Sequence, residues 1–192
     1  MNGKRIACLG SSHGQSGDLM YDDMDRVGQL LAMDGHTVLT GGFGGVGMEA
    51  PARGAKQAGG KCIGYTMLGK PGNSFLTQVI ECRHIGTELL VPELQFGVRL
   101  GRLLLADGFI LAAGGGPGTL LELLAVLNLN MKFWEKVRPL AILKPEGLMT
   151  AGWDGEMIKV ISAWCQLPDS ARDAIHIVST PTEAVTWALG DQ

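Results

Sequence analysis

The chain has 192 residues, the length of one domain, and its 46% hydrophobic and 18% charged residues exclude an intrinsically disordered chain. A formal charge of −3 leaves no basic footprint and argues against general nucleic-acid binding. Glycine is the outlier: 29 of 192 residues, about twice the usual ~7%, with no collagen-like period, so the excess belongs to particular turns.

Short apolar runs alternate with longer amphipathic stretches. Arg5–Leu9 reads as a strand ending at Gly10, and Asp18–Met33 as a helix stopped by Gly35. His36–Thr40 is a second strand running into Gly41-Gly42-Phe43-Gly44-Gly45. A helix follows over Val46–Ala58, with Pro51 fitting its first turn. Lys61–Tyr65 is a third strand, residues 66–76 are loop, and Gln78–Cys82 is a fourth strand. Residues 83–98 follow no single pattern and are candidates for a pocket wall. The reading resumes with a helix over Glu93–Ala106, a strand over Gly108–Ala112 and an apolar helix over Thr119–Met131. A strand over Pro139–Leu143, a helix over Asp154–Trp164 and a strand over Ile175–Val178 complete the alternation. Thr180-Pro181-Thr182-Glu183 then has capping-box spacing before a final helix, Pro181–Leu189.

The four cysteines, Cys8, Cys62, Cys82 and Cys165, form no CxxC pair, which favours a reducing compartment. The N-terminal apolar run is too short for a signal-peptide core. The apolar stretch Leu103–Ala113 falls well short of the ~20 residues that span a bilayer. The expectation is a cytoplasmic protein without a membrane partner.

Strand–helix alternation predicts an α/β fold: a Rossmann-like three-layer sandwich with a mostly parallel sheet of six or seven strands. Ligands bind such sheets beyond the carboxyl ends of the strands. Three Gly-rich loops, Gly10–Gly17, Gly41–Gly47 and Gly114–Gly118, all follow strands and so open onto one edge. Glycine turns before helices expose N–H groups and the positive end of the helix dipole, which together bind phosphate. Gly42-Phe43-Gly44-Gly45-Val46-Gly47 has the letters GxGxxG, but no acidic residue follows near Tyr65–Leu68 to hold a ribose, which disfavours a dinucleotide. No loop ends in GK[ST], and no GxSxG elbow is present.

The third loop, Gly114-Gly115-Gly116-Pro117-Gly118-Thr119, combines a phosphate cradle with a hydroxyl, and Glu122 lies three residues beyond Thr119. Glu122 has two readings. It can close a capping box with Thr119. It can also stand beside a bound sugar phosphate, polarising water or stabilising an oxocarbenium-like centre. Arg99 and Arg102 are one helical turn apart and are either solvated or in reach of a ligand's phosphate or base. His13 and His84 are further candidates for ligand contact, whereas His36 and His176 start strands. The histidines lack metal-ligand spacing, and no metal is expected. Trp134, Trp153, Trp164 and Trp187 are assigned to core and subunit packing.

Three motifs resemble, in order, those of the LONELY GUY (LOG) proteins, long mislabelled lysine decarboxylases. They are Cys8-Leu9-Gly10-Ser11-Ser12-His13-Gly14, then Gly41-Gly42-Phe43-Gly44-Gly45-Val46-Gly47-Met48-Glu49-Ala50, then Gly115-Gly116-Pro117-Gly118-Thr119-Leu120-Leu121-Glu122. The resemblance implies a homodimer or higher homo-oligomer and hydrolysis of the N-glycosidic bond of a nucleoside 5′-monophosphate, with no required cofactor. It implies substrate contacts at Gly10, Ser11, Ser12, His13, Gly41, Gly42, Gly44, Gly45, Met48 and Gly114 through Thr119, with Glu122 catalytic. The family's opening proline is Gly114 here. Val98 stands where its catalytic arginine sits, leaving Arg99 or Arg102 as the substitute. The second motif also resembles the molybdenum-cofactor carrier branch of the same superfamily. That branch implies the alternative, a non-hydrolytic carrier or sensor of a phosphorylated pterin or nucleotide.

Overall fold

The computed structural model describes residues 3–82, 92–148, 153 and 155–190. Seven strands, β1 (Arg5–Leu9), β2 (Thr37–Thr40), β3 (Lys61–Met67), β4 (Gln78–Cys82), β5 (Gly108–Ala112), β6 (Leu140–Leu143) and β7 (Ile175–Val178), form one sheet in the order β4-β3-β2-β1-β5-β6-β7. Every pairing is parallel. The inner strands β1, β5 and β6 are near-continuous apolar runs because helices cover both of their faces. The outermost strands, β4 and β7, expose more of their length.

The helices are α1 (Leu19–Met33), α2 (Glu49–Gln57), α3 (Pro92–Leu103), α4 (Pro117–Lys132), α5 (Gly155–Cys165), α6 (Asp169–Asp173) and α7 (Pro181–Leu189). The fold is therefore the expected three-layer Rossmann-like sandwich. The chain builds outward from β1 to β4, then returns to the other side of β1 and builds outward through β5, β6 and β7. With right-handed crossovers, that reversal sends α1 and α2 to one face and α4 to the other. It also creates a crevice at the carboxyl ends of β1 and β5.

Several boundaries differ from the sequence reading. The second helix starts at Glu49, after the whole Gly-rich loop, and Pro51 does sit in its first turn. α4 starts at Pro117, with Gly116 as N-cap and no side-chain cap. Proline is pre-organised for the first helical position, and this moves Thr119 inside the first turn. Strand β3 runs on to Met67 because β4 pairs with it up to that residue. The five-residue α6 has too short a pattern to be legible. Residues 83–91, including His84, lie outside the described residues. The capping box at Thr180 forms as read, with Glu183 N–H donating to Thr180 Oγ1 and Thr180 N–H donating back to Glu183 Oε2.

α1 and α2 meet backbone to backbone. A Cβ on Gly28 would stand 2.1 Å from Pro51 O, and one on Gly54 would stand 1.8 Å from Asp25 O. Arg53 bridges the pair, its Nε donating to Asp25 at 2.7 Å and its guanidinium lying over the Tyr21 ring at 4.8 Å. Helix propensity alone would have Gly54→Ala stabilise by about 1 kcal/mol. The contact reverses the sign: Gly54→Ala is expected to lose about 1–3 kcal/mol in urea unfolding, because the methyl group forces the helices apart.

Candidate functional site

The first and second Gly-rich loops are stitched together at the crevice. Gly47 N–H donates to Ser11 O at 3.0 Å, and Val46 N–H donates to His13 O at 3.0 Å. No side chain fits between them. A Cβ on Gly47 would lie 2.4 Å from Gly10 N, and one on Gly45, already at φ +86°, would lie 2.2 Å from Ser12 C. Asn73 braces the second loop from outside, its N–H donating to Gly42 O and its Nδ2 to Phe43 O, both at 2.8 Å. These glycines serve loop packing.

The third loop is different. A Cβ added at Gly116 or Gly118 would meet nothing within 4 Å. The first helical bond of α4 runs from Leu120 N–H to Gly116 O at 3.3 Å, so the N–H groups of Gly118 and Thr119 precede it. Pro117 has no N–H. Two backbone donors without a helical acceptor and the positive end of the helix dipole thus adjoin the open space beside Gly116 and Gly118, the elements of an anion cradle, while the Thr119 side chain itself is buried.

A cavity of about 390 Å³ lies here. Gly10, Ser11, Ser12 and His13 line one part. Gly116, Pro117, Gly118, Thr119 and Glu122 line another, and Met48 and Arg99 border it as well. Gly41, Gly42, Gly44, Gly45, Gly114 and Gly115 are not among its lining residues, and Arg102 is exposed on α3 outside it. Phe43 and Phe96 also line the cavity. The sequence reading did not single them out, although Phe96 is one helical turn before Arg99. A larger groove of about 1120 Å³ opens at the opposite edge, by Lys4, Trp134, Arg138 and Trp187, and no predicted site residue borders it.

Glu122 does not cap α4. Its carboxylate reaches across to the first loop, where Gly10 N–H donates to it, while Oε2 is buried with no hydrogen-bond partner. Burial pushes its pKa up to about 7, against the opposing pull of Arg99 and the Gly10 N–H. A carboxyl group poised near neutrality can take or give a proton at working pH.

Arg99 is buried, and its Nε donates to Tyr65 O at 2.9 Å and Gly41 O at 3.1 Å. Its Nη2 donates to Gly41 O at 3.0 Å and lies 3.3 Å from Met48 Sδ. A Cβ on Gly41 would collide with that nitrogen, so a side chain there would displace the guanidinium from this position. The guanidinium also sits 5.3 Å from the Phe43 ring centroid and within charge reach of Glu122. Val98 packs against the core. Among the described residues, no group of three or more His, Cys, Asp or Glu side chains is placed to hold a metal ion. No helix among them is long and apolar enough to cross a membrane.

Comparison with known proteins places this geometry in a family. A 59-residue stretch is 42% identical to an uncharacterised protein of Archaeoglobus fulgidus, covering 31% of this chain and 37% of that relative's length. The solved structure of TM1055, a structural-genomics target, is 27% identical with a TM-score of 0.68, over 95% of this chain and 96% of that one. The molybdenum cofactor binding protein from the phototrophic bacterium Rippkaea orientalis shares the fold, with a TM-score of 0.70 and 22% identity over 100% and 98% of the two chains. The profile of the SLOG cluster4 family matches residues 4–133, a span that holds all three Gly-rich loops, Arg99 and Glu122. The chain therefore belongs to the SLOG cluster4 family, within the LOG-like Rossmann superfamily.

Proposed function

We propose that the chain binds a nucleoside 5′-monophosphate and hydrolyses its N-glycosidic bond. The observation that carries this reading is Glu122: a buried carboxyl group with one oxygen free, adjoining an anion cradle at Gly116–Thr119. The phosphate lies on the Gly118 and Thr119 N–H groups, and Ser11, Ser12 and His13 close the facing side. Water oxygen bonds to C1′ as the C1′–N bond breaks, and the bonding pair leaves with the base. Glu122 takes the proton from water, steadies the positive charge on the sugar and passes the proton to the departing base. Arg99 holds the second loop in register and keeps the Glu122 carboxylate accessible near neutral pH. The cavity is at the small end of the ~300–1,000 Å³ range of ligand sites, a size for one mononucleotide.

The second reading is a carrier or sensor, favoured by Arg99. Its Nε and Nη2 already bond backbone carbonyls, and Val98, at the position of the family's catalytic arginine, is packed away. The Rippkaea orientalis fold-neighbour is named for binding molybdenum cofactor. The residues here fit a phosphorylated pterin in the same way, with its phosphate on the Gly116–Thr119 cradle and the free Glu122 oxygen available to a ring N–H. The cofactor would supply redox chemistry elsewhere; this chain would hold it and exclude water.

Base release from AMP, GMP, CMP and UMP, followed by chromatography, separates the two. The hydrolase reading expects free base and ribose 5-phosphate, with Glu122→Gln slowing release by about 10²–10⁴-fold. A ligand retained stoichiometrically through purification, with no base released, would transfer the assignment to the carrier.

The ionisation of Glu122 makes a second prediction. Because the base form is needed, kcat/KM is expected to rise with pH through a limb near pH 7, and Glu122→Gln should lack that limb. Stability runs the other way. A carboxyl group raised from 4.5 to about 7 on folding costs stability as pH climbs from about 4.5 to 7. The shift corresponds to about 3 kcal/mol. Thermal melts at pH 5 and pH 8 should therefore show a smaller loss in Glu122→Gln than in the native chain.

A further inference from the structure

We infer that Phe43 and Phe96 form a stacking wall, so that the ligand carries a planar heteroaromatic ring in addition to its phosphate. The inference rests on the phosphate-ester reading above and specifies the other end of that ligand.

The contacts run in sequence across the cavity. The Gly116–Thr119 cradle leads one helical turn along α4 to Glu122. Glu122 is within charge reach of Arg99, and the Arg99 guanidinium lies 5.3 Å from the centroid of Phe43. Phe96, one turn before Arg99 on α3, lines the same cavity. Anion donors, a carboxyl group and aromatic rings thus border one cavity, the three kinds of group that suit the phosphate, sugar and base of a mononucleotide.

Neither ring is fully buried by the fold, although Phe43 also lies against the Arg99 guanidinium. Phe96 stays 38% exposed although α3 packs on the sheet, and Phe43 is half-buried in a loop otherwise built of glycine and small residues. Only 6% of the chain is aromatic, and two of its five phenylalanines border one 390 Å³ cavity. Such rings leave apolar surface in water until a ligand covers it. Phe43 is also held in place, its backbone carbonyl bonded by Asn73 and its ring beside the buried Arg99. A ring fixed before binding loses little entropy on stacking. A heteroaromatic base offers both the flat face and the ring nitrogens that suit an aromatic wall beside a cation.

The test uses the full chain carrying Glu122→Gln, so that no ligand is turned over during titration. Ribose 5-phosphate and the four nucleoside 5′-monophosphates are titrated calorimetrically into this protein and into versions adding Phe96→Ala, Phe96→Trp or Phe43→Leu. The expected result is that the best mononucleotide binds about tenfold or more tighter than ribose 5-phosphate. Phe96→Ala should abolish that advantage while leaving ribose 5-phosphate affinity unchanged, and Phe96→Trp should restore it. Phe43→Leu should reduce it likewise. Equal affinity for ribose 5-phosphate and every mononucleotide would overturn the stacking wall while leaving the phosphate cradle standing. So would a Phe96→Ala loss shared equally by both ligand types. Binding of neither ligand type would overturn the phosphate-ester reading and the wall together.

Discussion

The site depends on a contact made by the absence of side chains, the backbone-to-backbone approach of Gly47 and Gly10. Parallel strands β1, β2 and β5 all end at one edge, so their following loops compete for the same few ångströms above the crevice. A larger residue at Gly47 would set its Cβ only 2.4 Å from Gly10 N, inside any normal contact distance, and would push the first two loops apart. The loops would then lose the paired bonds from Gly47 and Val46 to Ser11 and His13. With those bonds made, Gly10 presents its N–H to Glu122 from across the crevice. The surroundings of the Glu122 carboxyl group therefore follow from how closely two loops can pack.

The electrostatics follow from the same geometry. Glu122 and Arg99 are both withdrawn from water, and burial moves each toward its neutral form while each steadies the other's charge. Arg99 is better compensated, since two backbone carbonyls accept from it, whereas Glu122 has one backbone donor and one bare oxygen. With so little compensation, burial outweighs the pull of Arg99 and the Gly10 N–H and carries the Glu122 carboxyl up to about 7. A third partner such as a ligand N–H, a hydroxyl or water would complete it. That unmet demand distinguishes a site residue from the satisfied ion pair of Arg53 and Asp25 on the far helices.

Much of this was legible in the residues. Apolar runs such as Gly108–Ala112 mark strands buried on both faces, and loop glycines after three of them point to one edge. The capping box at Thr180 uses only neighbours in sequence, and it forms as read. What stayed hidden depends on distant partners. Asn73 lies in a stretch that reads only as loop, and its role exists only because it meets Gly42 and Phe43, some thirty residues away. Whether Glu122 caps its own helix or crosses to Gly10 turned on the start of α4. There the signal was present: proline at 117 favours the first helical position, leaving Thr119 too deep to cap. Phe96 carried a weaker local sign, its one-turn spacing from Arg99.

Neighbouring residues on α3 separate packing from charge. A step of one residue rotates a helical side chain by ~100°. Val98 accordingly turns to the core, and Arg99 turns toward the ends of β2 and β3. There its Nε and Nη2 bond chain carbonyls, so the arginine acts on the loop that carries Phe43 and Met48. Its positive charge nevertheless still reaches Glu122. Electrostatic support falls off gradually with distance, whereas hydrogen bonding demands contact. Arg99 can thus tune the carboxyl group although its Nε and Nη2 are engaged by backbone carbonyls. In the phosphate-ester proposal, grip on the ligand rests instead on the backbone donors of Gly118 and Thr119, which no change of side chain removes.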